Sequence, residues 1–261
     1  MPTIDADGCP INVQIDGPDN APVLVLSNSL GTNLHMWDGQ MPEFTKHFRV
    51  VRYDRRGHGK SGVPKGPYTM ERLGRDVLAI LDALKTDKIN WCGLSMGGMV
   101  GMWLGANAGN RLNKLVLSNT TSYFSDKALW EGRIKQVREK GLGSIVGGNM
   151  ERWFSKGYRD NTASAAKLKD FTENFLKTDV EGYVGCCEAI AAMDHRDLLP
   201  KIKVPTLIIA GKHDPATTVE AAEYLRDHIP GSKLVVLDAA HIANVELPEL
   251  YSKTVIDFLR S

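Results

Sequence analysis

The stretch Cys92-Gly93-Leu94-Ser95-Met96-Gly97-Gly98 constrains this chain more than any other, because a strand-like run precedes it and a helix-like run follows it. Ile89, Trp91 and Leu94 are apolar, so Lys88 to Cys92 reads as a short buried strand. Met99, Val100, Trp103 and Leu104 then recur at helical spacing. A Gly-x-Ser-x-Gly at such a junction describes a tight turn that holds a serine hydroxyl above the edge of a sheet. Gly93 and Gly97 are needed there, since a Cβ two residues either side of the serine would collide with the crossing strand and helix. Gly98 and Gly101 carry the same close approach into the helix. The pentapeptide alone also fits an ordinary glycine-rich turn; its placement makes Ser95 a candidate nucleophile.

The rest of the chain supplies a sheet to hold that turn. Ile11 to Asp16, Pro22 to Ser27, Phe48 to Tyr53, Lys114 to Ser118, Thr206 to Ala210 and Lys233 to Leu237 all read as strands. The alternation in Ile11-Asn12-Val13-Gln14-Ile15 predicts an antiparallel strand with one wet face. Val23-Leu24-Val25-Leu26 is a continuous apolar run, expected of a strand covered on both faces. Leu73, Val77, Ile80, Leu81 and Leu84 mark one amphipathic helix, and Tyr251, Val255, Phe258 and Leu259 another. Between Thr121 and His195 no strand pattern is found, only helical stretches punctuated by Gly141, Gly143, Gly147-Gly148 and Gly157. The expected organisation is an α/β core over 1–120 and 196–261, with a helical insertion over 121–195.

Bulk properties exclude several classes. The chain has 261 residues, a net charge of +1 from 32 basic and 31 acidic side chains, and no long run of one sign. Neither nucleic acid nor an anionic membrane is an expected partner. Met1 to Asp5 carries neither a basic n-region nor an apolar h-region, which predicts no signal peptide, and no segment nears the ~18 apolar residues of a membrane span. Cys9, Cys92, Cys186 and Cys187 have no metal-ligand spacing, and the adjacent pair cannot form an ordinary disulfide. A cytoplasmic protein with reduced thiols and no metal is expected.

A serine hydroxyl is a weak nucleophile until a base removes its proton, and the base needs an orienting carboxylate. On sheets with this kind of turn, the partners follow in the order serine, acid, histidine, each in a loop after a later strand. Thr206 to Ala210 leads into Gly211-Lys212-His213-Asp214, and Lys233 to Leu237 leads into Asp238-Ala239-Ala240-His241. Asp214 and His241 are the expected acid and base. The strand ending at Ser118 offers Asn119 in place of a carboxylate, which strengthens Asp214. His58, within Arg56-Gly57-His58-Gly59, reads as part of a tight turn, and His213 is expected to point away from its neighbour Asp214. An oxyanion hole would combine the main-chain N–H of Met96 with that of Leu30, in the loop Asn28-Ser29-Leu30-Gly31-Thr32.

Three segments carry a resemblance: Ser27 to Thr32, Arg52-Tyr53-Asp54-Arg55-Arg56-Gly57-His58-Gly59-Lys60-Ser61, and Cys92 to Gly98. They resemble the α/β-hydrolases, and more narrowly the 3-oxoadipate enol-lactonases of bacterial aromatic catabolism. The resemblance implies the α/β-hydrolase fold: a mostly parallel eight-stranded sheet, helices on both faces and an inserted helical cap. It also implies a small lactone substrate with an acetate arm, opened by Ser95, Asp214 and His241 without any cofactor. The dianionic product argues for a cation in the cap. Arg133 shares a helical stripe with Trp130, Ile134 and Val137, which places a guanidinium where it could grip a carboxylate. Trp130 and Trp153 are candidate pocket walls; snorkelling of Arg133 and simple packing of the tryptophans are the alternatives. A perhydrolase, esterase or acyltransferase of the same fold would keep the same three catalytic residues, whereas a binding module would not need them.

Overall fold

The computed structural model describes residues 3–261. Met1 and Pro2, the start of the segment read for a signal peptide, lie outside the described residues. Eight strands form one sheet: β1 Thr3–Asp5, β2 Pro10–Asp16, β3 Val23–Ser27, β4 Arg49–Tyr53, β5 Ile89–Leu94, β6 Leu112–Ser118, β7 Thr206–Gly211 and β8 Lys233–Leu237. Their order across the sheet is β1-β2-β4-β3-β5-β6-β7-β8. β2 runs antiparallel to β1 and β4, and every pairing from β4 to β8 is parallel. Every residue of β5 and β7 is buried. This is the signature of strands covered by helices on both faces, and it explains why their sequences are mostly apolar without a regular alternation.

Two departures from the sequence reading have simple causes. β1 was not anticipated: it is three residues long and only Ile4 is buried, too little for a pattern. β2 has no fully wet face, because Asn12 is buried. Its Nδ2 donates to Asp54 Oδ2 at 2.8 Å and its N–H to Ser61 Oγ at 2.9 Å. A polar residue can be internal when its hydrogen bonds are supplied.

Helices Met70–Ala83 and Met96–Asn107 pack so closely that a Cβ on Gly74 would lie 2.1 Å from the Trp103 ring. Between β6 and β7 the chain leaves the sheet for helices Lys127–Lys140, Val146–Trp153, Lys156–Asp160, Ala165–Leu176 and Val180–Ala191. Asp126, Ser155 and Asp179 cap three of these through side-chain oxygens. The two ends of the excursion meet, with His195 N–H donating to Ser122 O at 2.8 Å. An aromatic cluster of Trp153, Phe154, Phe171, Phe175 and Tyr183 fills its interior with edge-to-face contacts. Among the described residues, no helix is long and apolar enough to cross a membrane.

Candidate active site

Ser95 sits between the last residue of β5 and the first of helix Met96–Asn107, with φ 58° and ψ −118°. A non-glycine residue adopts that conformation only when its surroundings enforce it. Its N–H donates to Ser118 O at 2.8 Å, and its carbonyl accepts from Thr120 Oγ1, also at 2.8 Å. The flanking glycines are sterically compelled: a Cβ on Gly93 would lie 2.1 Å from Gly97 O, and one on Gly97 would lie 2.2 Å from Ser27 O.

The loop after β3 lies beside this turn, and Asn28 fixes it. Asn28 Nδ2 donates to Tyr53 O at 2.9 Å, and Oδ1 accepts from Trp37 Nε1 at 2.9 Å. The Asn28 carbonyl accepts the Gly97 N–H at 3.1 Å and a bond from the buried Arg55 guanidinium. Gly31 N–H donates to His58 Nε2 at 3.0 Å. Burial, reinforced by the Arg55 charge, pushes His58 down to about 3, so the ring is neutral and its Nε2 lone pair is free to accept. His58 therefore shapes the loop through a direct bond as well as through its own turn. The N–H groups of Leu30 and Met96 have no acceptor among the described residues, and both side chains are buried. Two unpaired main-chain donors beside a serine can stabilise a developing oxyanion.

Asp214 follows β7, and His241 lies in the loop after β8. His241 Nδ1 donates to Asp214 Oδ2 at 2.7 Å, and both side chains are almost fully buried. That bond leaves Nε2 as the nitrogen able to take a proton. Burial works against ionisation of Asp214, but the His241 ring and the hydrogen bonds around the carboxylate outweigh it and hold its pKa below the usual carboxylate value. Those bonds come from Ala216 N–H at 2.8 Å, Thr217 N–H at 3.0 Å and Thr217 Oγ1 at 2.6 Å. Asn119, itself at φ 44°, adds Nδ2 to Asp214 Oδ2 at 3.2 Å and to Ala240 O at 3.1 Å. Asn119 and Thr217 were not singled out as site residues from the sequence. Their signal was positional: one directly follows β6, and the other closes the turn that Asp214 opens.

Ser95, Asp214 and His241 thus occupy the carboxyl ends of β5, β7 and β8. Asp214 and His241 are in contact, whereas Ser95 is not hydrogen-bonded to His241. Such bonds are often loose in unliganded sites. The competing His213 is otherwise engaged, pairing with Asp238 at 2.9 Å on the surface.

The remaining candidates lie in the helical segment. Trp130 is half-buried, edge-on to Phe124, and the Arg133 guanidinium lies 5.8 Å from its ring centre. Arg133 donates to Asn149 Oδ1. Trp153 is packed among Phe171 and Phe175, and its carbonyl accepts the Ile242 N–H at 2.9 Å, one residue past His241. A cavity of about 190 Å³ opens beside the oxyanion loop, lined by Gly31, Thr32, Met36, Phe171 and Asn174 among others.

Comparison with known proteins places this arrangement. A family model described as the alpha/beta hydrolase fold matches residues 22–248. A 3-oxoadipate enol-lactonase from Acinetobacter baylyi is 40% identical over 253 residues, spanning 97% of this chain and 94% of the relative. The crystal structure of the enol-lactonase from Burkholderia xenovorans superposes with a TM-score of 0.97 at 43% identity, covering 100% of both chains. A thermophilic esterase from Thermogutta terrifontis, solved with malate bound, gives a TM-score of 0.90 at 29% identity over 99% of this chain and 96% of its own.

Proposed function

This chain belongs to the α/β-hydrolase fold family, and we propose that it opens 3-oxoadipate enol-lactone to 3-oxoadipate by serine-based covalent catalysis. The chemistry rests on one observation above all: a strained Ser95 turn at the same sheet edge as the buried Asp214–His241 pair. The choice of substrate is supported by full-length similarity to proteins named as enol-lactonases. In this reading, residues 121–195 form a cap over a core of 1–120 and 196–261, and the protein acts in the cytoplasm.

His241 Nε2 takes the Ser95 proton as Oγ attacks the lactone carbonyl, and Asp214 stabilises the imidazolium that forms. The carbonyl oxygen becomes an oxyanion held by the N–H groups of Leu30 and Met96. Collapse breaks the ring C–O bond and expels an enolate, a better leaving group than an alkoxide, which takes up the proton held by His241 and leaves that ring neutral. Protonation at carbon gives the ketone. Water, deprotonated by His241, then attacks the acyl-enzyme, passes through the same oxyanion site and leaves as the new carboxylate with Ser95 restored. Arg133 holds the acetate carboxylate throughout, with Trp130 and Trp153 as walls.

Purified protein should consume the enol-lactone, followed by ultraviolet absorbance, and release 3-oxoadipate in equal amount. Turnover of neutral aryl esters with no reaction on the lactone would replace this reading with that of a general esterase.

A further inference from the structure

Arg133 and Arg152 come from different helices, Lys127–Lys140 and Val146–Trp153, yet both donate to the same atom, Asn149 Oδ1. Asn149 is 3% exposed. Neither arginine has a carboxylate within ion-pair distance among the described residues, and Arg133 Nε is buried without a partner. Two other arginines are neutralised by carboxylates, although the buried Arg55, which donates to the Asn28 carbonyl, is not. Arg56 meets buried Asp76 with both contacts at 2.6 Å, and Arg138, on the same helix as Arg133, reaches Glu181 and Glu188. Two guanidiniums sharing one neutral amide oxygen repel each other in a partly desolvated place, an arrangement that gains its balance when an anion joins them. Burial, followed by the Arg133 charge, lowers the pKa of Arg152.

The pair is linked to the candidate site through two neighbouring residues, Trp153 and Tyr183. Arg152 immediately precedes Trp153, whose carbonyl is bonded to Ile242 beside His241. The Tyr183 hydroxyl lies within reach of the Arg133 and Arg152 charges and of the Asn149 amide, and the Tyr183 ring abuts Gly31, where a Cβ would approach it to 3.3 Å.

We propose that Arg133 and Arg152 together form a two-guanidinium clamp for the carboxylate of the ligand, with Asn149 as the positioning residue that holds both forks. The inference rests on the enol-lactone reading for the identity of the ligand, though not for the existence of an anion site. Two planar forks can engage both oxygens of a carboxylate, which one arginine does less selectively. The amide of Asn149 aligns them without neutralising them. An aspartate there would occupy the clamp from within.

The test uses adipate, an unreactive six-carbon dicarboxylate, as competitor of p-nitrophenyl acetate hydrolysis by the full chain. Adipate should inhibit the wild-type protein. Arg152→Met and Arg133→Met should each raise its inhibition constant about tenfold or more, relative to any change in KM for the neutral ester. Asn149→Asp should do the same while the melting temperature stays at or above the wild-type value, since the new carboxylate pairs both arginines. Arg138→Met, outside the clamp, should change inhibition by less than about twofold. Equal inhibition of the wild-type and Asn149→Asp proteins would overturn the clamp and leave the arginines as a brace between cap helices. Absence of adipate inhibition in the wild type would also overturn it. Arginine-dependent inhibition in a protein inert toward the enol-lactone would keep the clamp and overturn the substrate.

Discussion

The carboxyl edge of the sheet and the helical segment between β6 and β7 obey different rules. At the sheet edge, space dictates residue type: Gly93 and Gly97 each face main-chain oxygen within 2.2 Å of where a Cβ would lie. In the helical segment Gly132, Gly143, Gly147 and Gly157 meet nothing within 4 Å of that position, and only its last helix, which touches the core, is confined: a Cβ on Gly182 would lie 2.2 Å from Gly57 O. Charge does not divide in the same way: Arg56 in the core is matched by Asp76, but the buried Arg55 donates to a neutral carbonyl, as Arg133 and Arg152 share a neutral amide. One region is over-determined and holds the proposed reacting atoms in place. The other has slack between Gly132 and Gly157, where the proposed clamp lies.

The sharpest way to break this contrast is at Ser95. Replacing it by alanine should lower kcat by at least about a thousandfold with an unchanged circular dichroism spectrum, because only the oxyanion and binding contributions survive loss of the nucleophile. Retention of a tenth of the activity would mean that the rigid edge is not where the chemistry happens.

Next in size is Gly97→Ala, which forces a methyl group against the Ser27 carbonyl. A loss of about 3 kcal/mol or more in urea unfolding is expected.

His58 then probes how far the rigid edge depends on an uncharged ring. Held at about 3 in the fold against about 6.5 in an unfolded chain, it leaves the unfolded state with the extra proton between those values. Stability is therefore lost as pH falls through that window. Between pH 7 and pH 5 this group costs the wild type about 2 kcal/mol, a loss that His58→Gln should not show. Parallel pH profiles would separate His58 from the acid sensitivity of the protein.

The smallest effect belongs to the slack region. Gly132→Ala, mid-helix and open on all sides, should gain about 0.5–1 kcal/mol. A loss there would show that the helical segment is packed as tightly as the core.

This division also explains what could be read from the sequence. Ser95, Asp214 and His241 were legible as candidates because each lies at or shortly past the end of a strand whose apolar run announces that end. The sheet itself was legible for the same reason, except β1, too short for any pattern, and the wet face of β2, cancelled by the bonds of Asn12. Asn119 and Thr217 were hidden because their contacts with Asp214 cross between β6 and β7 or depend on the turn after Asp214, and no periodicity encodes either. Arg133 stood out by its place on an apolar stripe. Arg152 did not, since its relation to Arg133 exists only once two helices have met over Asn149.

Asn28 gives the over-determined edge a further meaning. Its side chain is spent on Tyr53 and Trp37, and its carbonyl receives the N–H of Gly97. Leu30 lies two residues beyond it, and Met96 one residue before Gly97. The gap between those two donors is thus gauged as by the jaws of a caliper, closed on a single 3.1 Å bond. Its calibration is kept by an indole and a strand carbonyl.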